Sequence, residues 1–185
     1  MEERLINKAQ GIEALPSFSP PIIKLIGTYE RNIDSKSRLG LPVQFRDKLE
    51  GSPLILLRWL DRSIAVFPEC NWQPYAESIA RLDLYTAFGQ TVRRQMFANA
   101  REVSMDKEGR IILPPDLMDY ARIDGKVMML GDWDKISLWN YTYYRDQVAV
   151  DDVTITERFP AVLQLAKGQK RLEEFEQEQR QKENG

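Results

Sequence analysis

Length, composition and charge exclude several classes of protein. The 185-residue chain is long enough for one compact domain or two small ones, and its formal net charge of −2 argues neither for nor against a polyanionic partner. It has no histidine, which excludes His-based catalytic triads and His-ligated zinc. Its single cysteine, Cys70, excludes an intramolecular disulfide.

The N-terminal stretch, residues 1–24, shows no sustained hydrophobic period and is interrupted by Pro16, Pro20 and Pro21. It lacks the apolar block of a secretory signal, and no apolar run of the chain approaches the ~18 residues of a membrane span. We therefore expect a soluble, cytoplasmic protein. Two interpretations of the stretch stay open: a flexible arm, or an arm that docks on a neighbouring subunit or on DNA.

The region that follows, to about residue 71, is predicted to be a compact α+β unit. A turn begins at Asp34, whose carboxylate can accept N–H groups of the turn, and Pro42 fits the first position of a short helix. Two later segments are almost entirely apolar, which is typical of strands buried on both faces. The predicted elements are a strand over 28–33, a return strand with Leu39 and Leu41, a helix over 42–49, and strands over 54–57 and 64–67 around a turn at Asp61-Arg62.

Two helices are predicted within residues 72–99. Asn71 is expected to be the N-cap of the first helix. In the second helix, residues 84–98, Arg93 and Arg94 fit either a solvated face or contacts to DNA phosphates. They lie off an apolar stripe at helical spacing, which consists of Tyr85, Phe88, Val92 and Met96.

Residues 100–143 are predicted to repeat the first unit, and a charged tail follows. The repeat contains a strand before a turn at Asp106, a return strand, a helix opened by Pro114 and two further strands. A helix from Tyr141 is expected to close it. Residues 151–185 are rich in Glu and Gln, so they are predicted to be a frayed helix or disordered rather than a third domain.

A ten-residue stretch occurs twice, and the rest of the chain is organised around it. Ile33–Pro42 is matched by Met105–Pro114 at an offset of 72 residues. Matching chemistry at one fixed offset indicates an internal duplication, and a unit of about 45 residues is too small to be stable alone, so the halves are expected to share a core. The matching pairs are Asp34 and Asp106, Arg38 and Arg110, Leu41 and Leu113, Pro42 and Pro114, Ile55 and Val127, Ile64 and Ile136, Phe67 and Trp139, and Trp72 and Tyr144.

Positive charge is concentrated around the two repeated turns. Residues 29–48 and residues 93–110 each carry five basic and three acidic side chains. A single Asp-x-x-Gly-Arg sequence predicts only a hairpin turn, with glycine at positive φ. Two copies favour binding, because an arginine that projects outward can fit guanine O6 and N7 in a major groove and a lysine can hold a phosphate. The basic residues of the turns are Lys36 and Arg38 in the first and Lys107 and Arg110 in the second.

An enzyme and a single-strand binder are weaker interpretations. The nearest pairs of carboxylates, Asp151-Asp152 and Asp132 with Asp134, fit a solvated surface better than a catalytic pair. No nucleophile–base arrangement, phosphate loop or metal-ligand spacing is present, so we expect no enzyme activity, no cofactor and no small-molecule substrate. Tryptophans could stack on single-stranded bases, but at strand and helix positions they are more often core residues. They are Trp59, Trp72, Trp133 and Trp139.

The chain resembles the MraZ family. Its members are transcriptional regulators of bacterial division and cell-wall gene clusters, and each protein is built from two tandem SpoVT-AbrB-like units. The resemblance covers about residues 26–150 and leaves both ends outside. Its most specific part is the pair of aspartate-to-arginine motifs. It is carried by Ile33–Leu39, Phe45-Arg46, Phe67-Pro68, Trp72, Arg93-Arg94, Ala100, Met105–Arg110, Val127–Gly131 and Leu138-Trp139.

This resemblance implies an α+β fold in which two interlocked pseudo-repeats form a small β-barrel, a double-split barrel, with flanking helices. The first unit would cover residues 28–71, the linking helices 72–99 and the second unit 100–143. A ring-shaped homo-oligomer is implied, which binds double-stranded DNA at G-rich direct repeats, usually as a repressor, and is associated with the nucleoid. The family's DNA-contacting basic positions fall on Lys36, Arg38, Lys107 and Arg110.

The chain departs from the family pattern at Ser37, where the family has glycine. If that position needs a left-handed backbone, serine costs about 1 kcal/mol. An alternative function is an antitoxin-like module that binds a protein, because AbrB-like barrels also occur in such proteins. Antitoxins usually combine one unit with a long partner-wrapping segment, whereas this chain has two central units and a short tail.

Overall fold

The computed structural model describes residues 22–149, and every structural statement below concerns this part of the chain. The predicted α+β class is confirmed. A 3₁₀ turn at Leu60–Arg62 and a π-helical turn at Tyr144–Val148 complete the secondary structure. The strands and helices, in chain order, are β1 (Leu25–Asn32), β2 (Arg38–Gly40), α1 (Val43–Leu49), β3 (Leu54–Arg58), β4 (Ile64–Pro68), α2 (Glu69–Ala80), α3 (Ala87–Ala98), β5 (Arg101–Val103), β6 (Arg110–Ile112), α4 (Pro115–Ala121), β7 (Lys126–Trp133), β8 (Ile136–Asn140) and α5 (Tyr141–Tyr143).

The strands form one six-stranded sheet and one two-stranded sheet, and every pairing is antiparallel. The large sheet has the order β1-β7-β8-β4-β3-β5, and β2 pairs with β6 separately. Within residues 22–149 no ladder joins the edge strands β1 and β5, so the large sheet is open. The closed barrel expected from the sequence therefore stays a prediction.

The two halves of the chain are interleaved rather than placed side by side. β1 pairs with β7, β2 with β6 and β3 with β5, so each of these ladders joins a strand from the first half to one from the second. Such pairings supply each half with hydrogen-bond partners that it lacks by itself. The expected sharing of one core between the halves is confirmed by this topology.

The short β2–β6 ladder reproduces the symmetry of the sequence repeat. Its three pairs are Arg38 with Ile112, Leu39 with Ile111 and Gly40 with Arg110. The middle pair consists of counterparts at the 72-residue offset, and the outer two pairs exchange when that offset is applied. The ladder therefore lies on a local pseudo-twofold axis, and the turns that precede β2 and β6 are brought together by it.

Two reciprocal backbone hydrogen bonds extend this symmetry into the turns. The N–H of Leu41 donates to the carbonyl of Gly109, and the N–H of Leu113 donates to the carbonyl of Ser37, both at 2.9 Å. Donors and acceptors are again counterparts at the same offset. Each turn is thus fixed in place by the other half of the chain.

The main core lies beneath this ladder and takes equal parts from both halves. Leu39 and Leu41 of the first half and Ile111 and Leu113 of the second are fully buried. Their removal from water is the main favourable contribution to folding. The helices add the buried side chains Phe45, Leu49, Leu117 and Ala121.

A second apolar cluster forms between the β3–β4 hairpin and α2. It contains Leu57, Ala65, Phe67 and Trp72, against which Trp59 packs. The interpretation of the tryptophans as core residues is confirmed for Trp72 and Trp59. Trp133 differs, because it occupies a left-handed position (φ 64°) at the end of β7 and is 52% exposed.

Asn71 is not the helix cap that the sequence predicts. α2 begins two residues earlier, at Glu69, and Asn71 is 1% exposed within its first turn. Its side chain accepts from the Ile23 N–H at 3.0 Å and donates to the carbonyls of Ile23 and Asp134 at 2.9 and 2.6 Å. A buried amide needs such partners, so tertiary contacts rather than capping determine this position.

Asp134 also departs from its expected place on a solvated surface, since it is only 6% exposed. Its carboxylate accepts from the Tyr75 hydroxyl at 2.6 Å and contacts the ammonium of Lys135 at 3.3 Å. Burial, followed by the bond to Asp134, raises the pKa of Tyr75. The paired partners explain how a charged group is accommodated there, and the role is structural.

The helix α3 begins at Ala87 behind Thr86, whose hydroxyl oxygen accepts from the Gly89 N–H at 3.0 Å. The predicted apolar stripe does not lie against a core throughout its length, because Tyr85 and Phe88 are 98% and 70% exposed. Of the two arginines, Arg93 donates to the carbonyl of Ala80 at the end of α2. Arg94 is exposed.

The predictions for the two ends, a flexible or docking arm over 1–24 and a frayed or disordered tail over 151–185, fall almost entirely outside the described residues. So does the Asp151-Asp152 pair. Among the helices that the structure describes, none has both the length and the apolar character required to cross a bilayer.

Candidate nucleic-acid interface

The first repeated turn is built around Asp34. Its N–H donates to the Arg38 carbonyl and its carbonyl accepts from the Ser37 N–H, both at 3.0 Å, which closes the turn. One carboxylate oxygen, Oδ1, accepts from the backbone N–H groups of Lys36 and Arg38 at 2.9 Å. The other, Oδ2, accepts from Nε of Arg38 at 2.6 Å. One aspartate therefore fixes both the backbone of the turn and the direction of the arginine.

The second turn has the same construction around Asp106. Its N–H donates to the Arg110 carbonyl and its carbonyl accepts from the Gly109 N–H, both at 2.9 Å. Oδ1 accepts from the N–H groups of Glu108 and Arg110 at 3.0 and 2.9 Å, and Oδ2 accepts from Nε of Arg110 at 2.8 Å. The duplication found in the sequence thus extends to individual hydrogen bonds.

Ser37 and Gly109 both have a left-handed backbone, with φ of 57° and 76°. The condition considered for Ser37, a left-handed backbone, is therefore met in the structure. Gly109 has a further constraint, because a Cβ there would lie less than 3 Å from three side-chain atoms of Arg46. Arg46 is held in that place by a hydrogen bond from its Nε to the Leu41 carbonyl. The second turn consequently favours glycine, because a Cβ there would require Arg46 to move, whereas the first accommodates serine.

We expect Ser37→Gly to leave the free energy of unfolding unchanged or to raise it by up to about 1 kcal/mol. Glycine relieves the left-handed strain of serine but also makes the unfolded chain more flexible, and the two effects are of similar size. Denaturant unfolding of the two proteins measures the difference. A loss of more than about 1 kcal/mol would contradict this account of the turn.

Hydrogen bonds keep both turn aspartates ionised. The pKa of Asp34 is below its ordinary value, chiefly because its carboxylate accepts from the backbone N–H of Arg38. For Asp106 burial opposes ionisation most strongly, yet the backbone and guanidinium donors of Arg110 together lower its pKa. The bond to Asp106, with smaller contributions that include the charge of Asp34, raises the pKa of Arg110. The surroundings therefore favour the charged forms of Asp34, Asp106 and Arg110, and the charge of Asp34 acts on the second turn.

The structure brings all four predicted site residues onto these adjoining turns. Lys36 and Lys107 are exposed. The side chains of Arg38 and Arg110 are 30% and 31% exposed and are paired with the aspartates of their own turns. The arginines therefore do not project freely outward, as the motif alone suggested, but lie at the surface in fixed orientations.

The pairing of Arg38 leaves its terminal fork available. Its guanidinium meets Asp34 through Nε, and within residues 22–149 its two terminal amino groups have no hydrogen-bond acceptor. Because the hydrogen bond from Nε to Asp34 already restricts the rotamers of Arg38, this side chain loses less entropy when it binds a ligand. The free end of Arg38 can thus donate two parallel hydrogen bonds to a base or a phosphate.

A cleft of about 450 Å³ lies beside the second turn, between the end of α1 and residues 104–109. Two cations line it, Arg46 and Lys107. The four anions of the lining are Asp47, Glu50, Asp106 and Glu108. Arg46 was not among the predicted site residues. The signals for it in the sequence were its place among the residues that carry the family resemblance and its contribution to the net charge of +2 in residues 29–48. Across the described part of the chain, no group of His, Cys, Asp and Glu side chains has an arrangement suited to a metal ion.

These features define a class of protein: an α+β fold made of two interleaved copies of one unit, each with an aspartate-anchored turn that holds an arginine at the surface. A family model described as "MraZ protein, putative antitoxin-like" matches residues 25–95 and again residues 96–158. The chain belongs to the MraZ family, so the resemblance found in the sequence is confirmed.

Curated relatives have the same family name. The "Transcriptional regulator MraZ" of Thermomicrobium roseum is 30% identical over 141 residues, which cover 75% of this chain and 99% of that protein. Proteins of the same name from Leuconostoc mesenteroides and Herpetosiphon aurantiacus are 33% and 37% identical over 135 and 116 residues. Those matches cover 71% and 62% of this chain, and 94% and 80% of the respective relatives.

Proposed function

We propose that this protein is a DNA-binding transcriptional regulator that reads double-stranded DNA with its two aspartate-anchored turns. The observation that carries the proposal is the pair of oriented arginines, Arg38 and Arg110, on turns joined by the β2–β6 ladder. The relatives are named transcriptional regulators, which supports the same function. The chemistry required is recognition, with no covalent step and no cofactor.

The geometry of the turns suits both kinds of DNA contact. The free end of Arg38 fits the two acceptors, O6 and N7, on the major-groove edge of guanine. Lys36 and Lys107 are exposed beside the arginines and can neutralise phosphates, which positions the protein without reading sequence. Since the proposed base contact is made to guanine, a preference for G-rich sites follows. The β2–β6 ladder fixes the two turns relative to each other, so both are presented in one orientation.

The proposal extends to assembly and to the target. Two SpoVT-AbrB-like units, residues 28–71 and 100–143 with linking helices over 72–99, would close into the double-split barrel, and several copies would form a ring. Each copy offers few contacts, so binding to one repeat is weak, and a ring on spaced direct repeats gains affinity through effective concentration. The target would be promoter repeats of the division and cell-wall gene cluster, whose transcription this protein would repress. It would act in the cytoplasm, in association with the nucleoid.

A footprint of the purified protein on the DNA upstream of its own gene tests the proposal. We expect protection of regularly spaced G-rich repeats, and loss of protection when the guanines of one repeat are replaced or when the spacing is changed by half a helical turn. The same DNA with its repeat sequence shuffled is the control. Equal protection of native and shuffled DNA would contradict sequence-specific recognition.

Lys36→Ala is expected to weaken binding to all duplexes alike and to reduce the slope of log K against log salt by about one. The reason is that an exposed lysine beside the turn contacts a phosphate rather than a base. Fluorescence anisotropy titrations of native and shuffled duplexes at several salt concentrations measure the slope. Retention of the wild-type slope, or a loss of affinity for the native duplex alone, would contradict a phosphate contact.

A second candidate is an antitoxin-like module that binds a partner protein, and the description of the matching family model favours it. The tail that would wrap such a partner, residues 151–185, lies outside the described residues. The footprint distinguishes the two candidates, because a module that binds only protein leaves promoter DNA unprotected at every concentration tested.

A further inference from the structure

The two turns occupy symmetric places but differ in side-chain charge at two positions. The 72-residue offset carries Lys36 onto Glu108, whereas Lys107 corresponds to Ser35. The backbone positions of Lys36 and Glu108 are equivalent, since each N–H donates to Oδ1 of the aspartate of its own turn, at 2.9 and 3.0 Å. The first turn therefore has a cation where the second has an anion.

Glu108 uses this position to bind the arginine of its turn. Its Oε2 lies 2.9 Å from Nη2 of Arg110, and Asp106 contacts both Nε and Nη2 of the same guanidinium at 2.8 Å. Arg110 is thus held by two carboxylates, whereas within residues 22–149 Arg38 is held by Asp34 alone, through Nε. The terminal fork that is free in the first turn is partly occupied in the second.

The contact between Glu108 and Arg110 is placed where another anion can replace it. The Glu108 side chain is 64% exposed, and ion pairs at such sites are weak and screened by salt. A phosphate or a guanine edge offers the same kind of acceptor to Nη2. The charges of Asp34, Lys36 and Arg38 sum to +1, while those of the corresponding second turn, with Lys107 and Glu108, sum to zero.

We propose that Glu108 is an internal competitor of DNA for Arg110, so that the first turn makes the initial contact and the second engages only by exchanging a carboxylate for the nucleic acid. The inference depends on the proposed DNA-binding function. In this arrangement Glu108 sets the affinity of the second turn and lowers non-specific attraction to phosphates. Both turns then bind only at a DNA site whose contacts with Arg110 outweigh the loss of the Glu108–Arg110 ion pair. This requirement increases the difference in affinity between specific and non-specific DNA.

Glu108→Gln is the direct test, because glutamine has nearly the same shape but no charge. The probe is the duplex immediately upstream of the protein's own gene, measured by fluorescence anisotropy beside a shuffled duplex. We expect Glu108→Gln to bind the native duplex about threefold to tenfold more tightly and to lose part of its preference over the shuffled duplex. Glu77→Gln, a charge removal at an exposed ion pair on α2, is the matched control and is expected to change neither affinity.

Double variants show whether the gain in affinity of Glu108→Gln depends on Arg110. The gain of Glu108→Gln is expected to disappear when Arg110→Ala is present and to persist with Arg38→Ala, although overall affinity falls in both. Unchanged affinity of Glu108→Gln, or a gain that survives Arg110→Ala, would overturn the inference while leaving the proposed function intact. If neither the wild type nor Glu108→Gln bound DNA, the proposed function would fail and this inference with it. Thermal unfolding of each variant verifies that the fold is retained.

Discussion

Replacement of both turn arginines, Arg38→Ala with Arg110→Ala, is expected to abolish binding to promoter DNA while the fold is retained. A bidentate contact between arginine and guanine is worth about 1–3 kcal/mol, so the loss of two contacts weakens each protomer by at least about thirtyfold. In the proposed ring this loss would be multiplied, since avidity depends on the contacts of every copy. The fold should be little affected, because exposed ion pairs contribute about 0–1 kcal/mol each.

A gel-shift titration measures the loss of binding, and thermal unfolding and size-exclusion chromatography measure fold and assembly. Arg81→Ala is a suitable control, because it removes an arginine from the end of α2 whose side chain is 73% exposed. Of the two single variants, Arg38→Ala should lower the affinity for DNA more than Arg110→Ala. The reason is that the terminal amino groups of Arg38 are free within residues 22–149, whereas those of Arg110 are shared with Glu108. Wild-type affinity in the double variant would exclude the turns as the DNA-binding site.

Gly109→Ala is expected to destabilise the protein by about 2–3 kcal/mol. About 1 kcal/mol comes from placing a side chain at a left-handed φ. The rest arises because the new Cβ displaces Arg46 from its hydrogen bond to the Leu41 carbonyl, a loss of about 1–2 kcal/mol. Denaturant unfolding at constant pH and salt measures the change, and a weaker affinity for DNA should accompany it because the second turn is displaced.

A double-mutant cycle separates the two contributions. In an Arg46→Ala background the displaced contact is already absent, so Gly109→Ala should cost only about 1 kcal/mol there. Ser37→Ala is the matched control at the symmetric position, where a Cβ is already present, and we expect it to change stability by less than about 0.5 kcal/mol. An equal cost of Gly109→Ala in both backgrounds would show that Arg46 is not what the new side chain meets.

The turns were the most predictable part of the molecule. Their hydrogen bonds are local, so an aspartate four residues before an arginine was enough to predict the closed turn. A left-handed backbone at Ser37 was considered only because the family has glycine at that position. The repeat also predicted that the halves share a core. The register between them was not predictable, because β1 pairs with β7 over separations of 94 to 108 residues and nothing local in either strand specifies that partner.

Errors in the sequence-based predictions arose where distant contacts outweigh local preference. Asn71 has the chemistry of a helix cap, yet partners at Ile23 and Asp134 draw it into the interior. The apolar spacing of α3 predicted a buried stripe, but Phe88 has no core against it in the described chain. The pairing of Glu108 with Arg110 was missed because the two lysines of the turns were treated as equivalent.

The interleaving of the halves has a consequence during synthesis on the ribosome. When the first half has emerged, β1 and β2 have no partners, because their ladders require β7 and β6. Leu39, Leu41 and Phe45 therefore remain open to solvent in the nascent chain until the later strands appear. Such a topology is expected to delay folding of both halves until β7 has been synthesised.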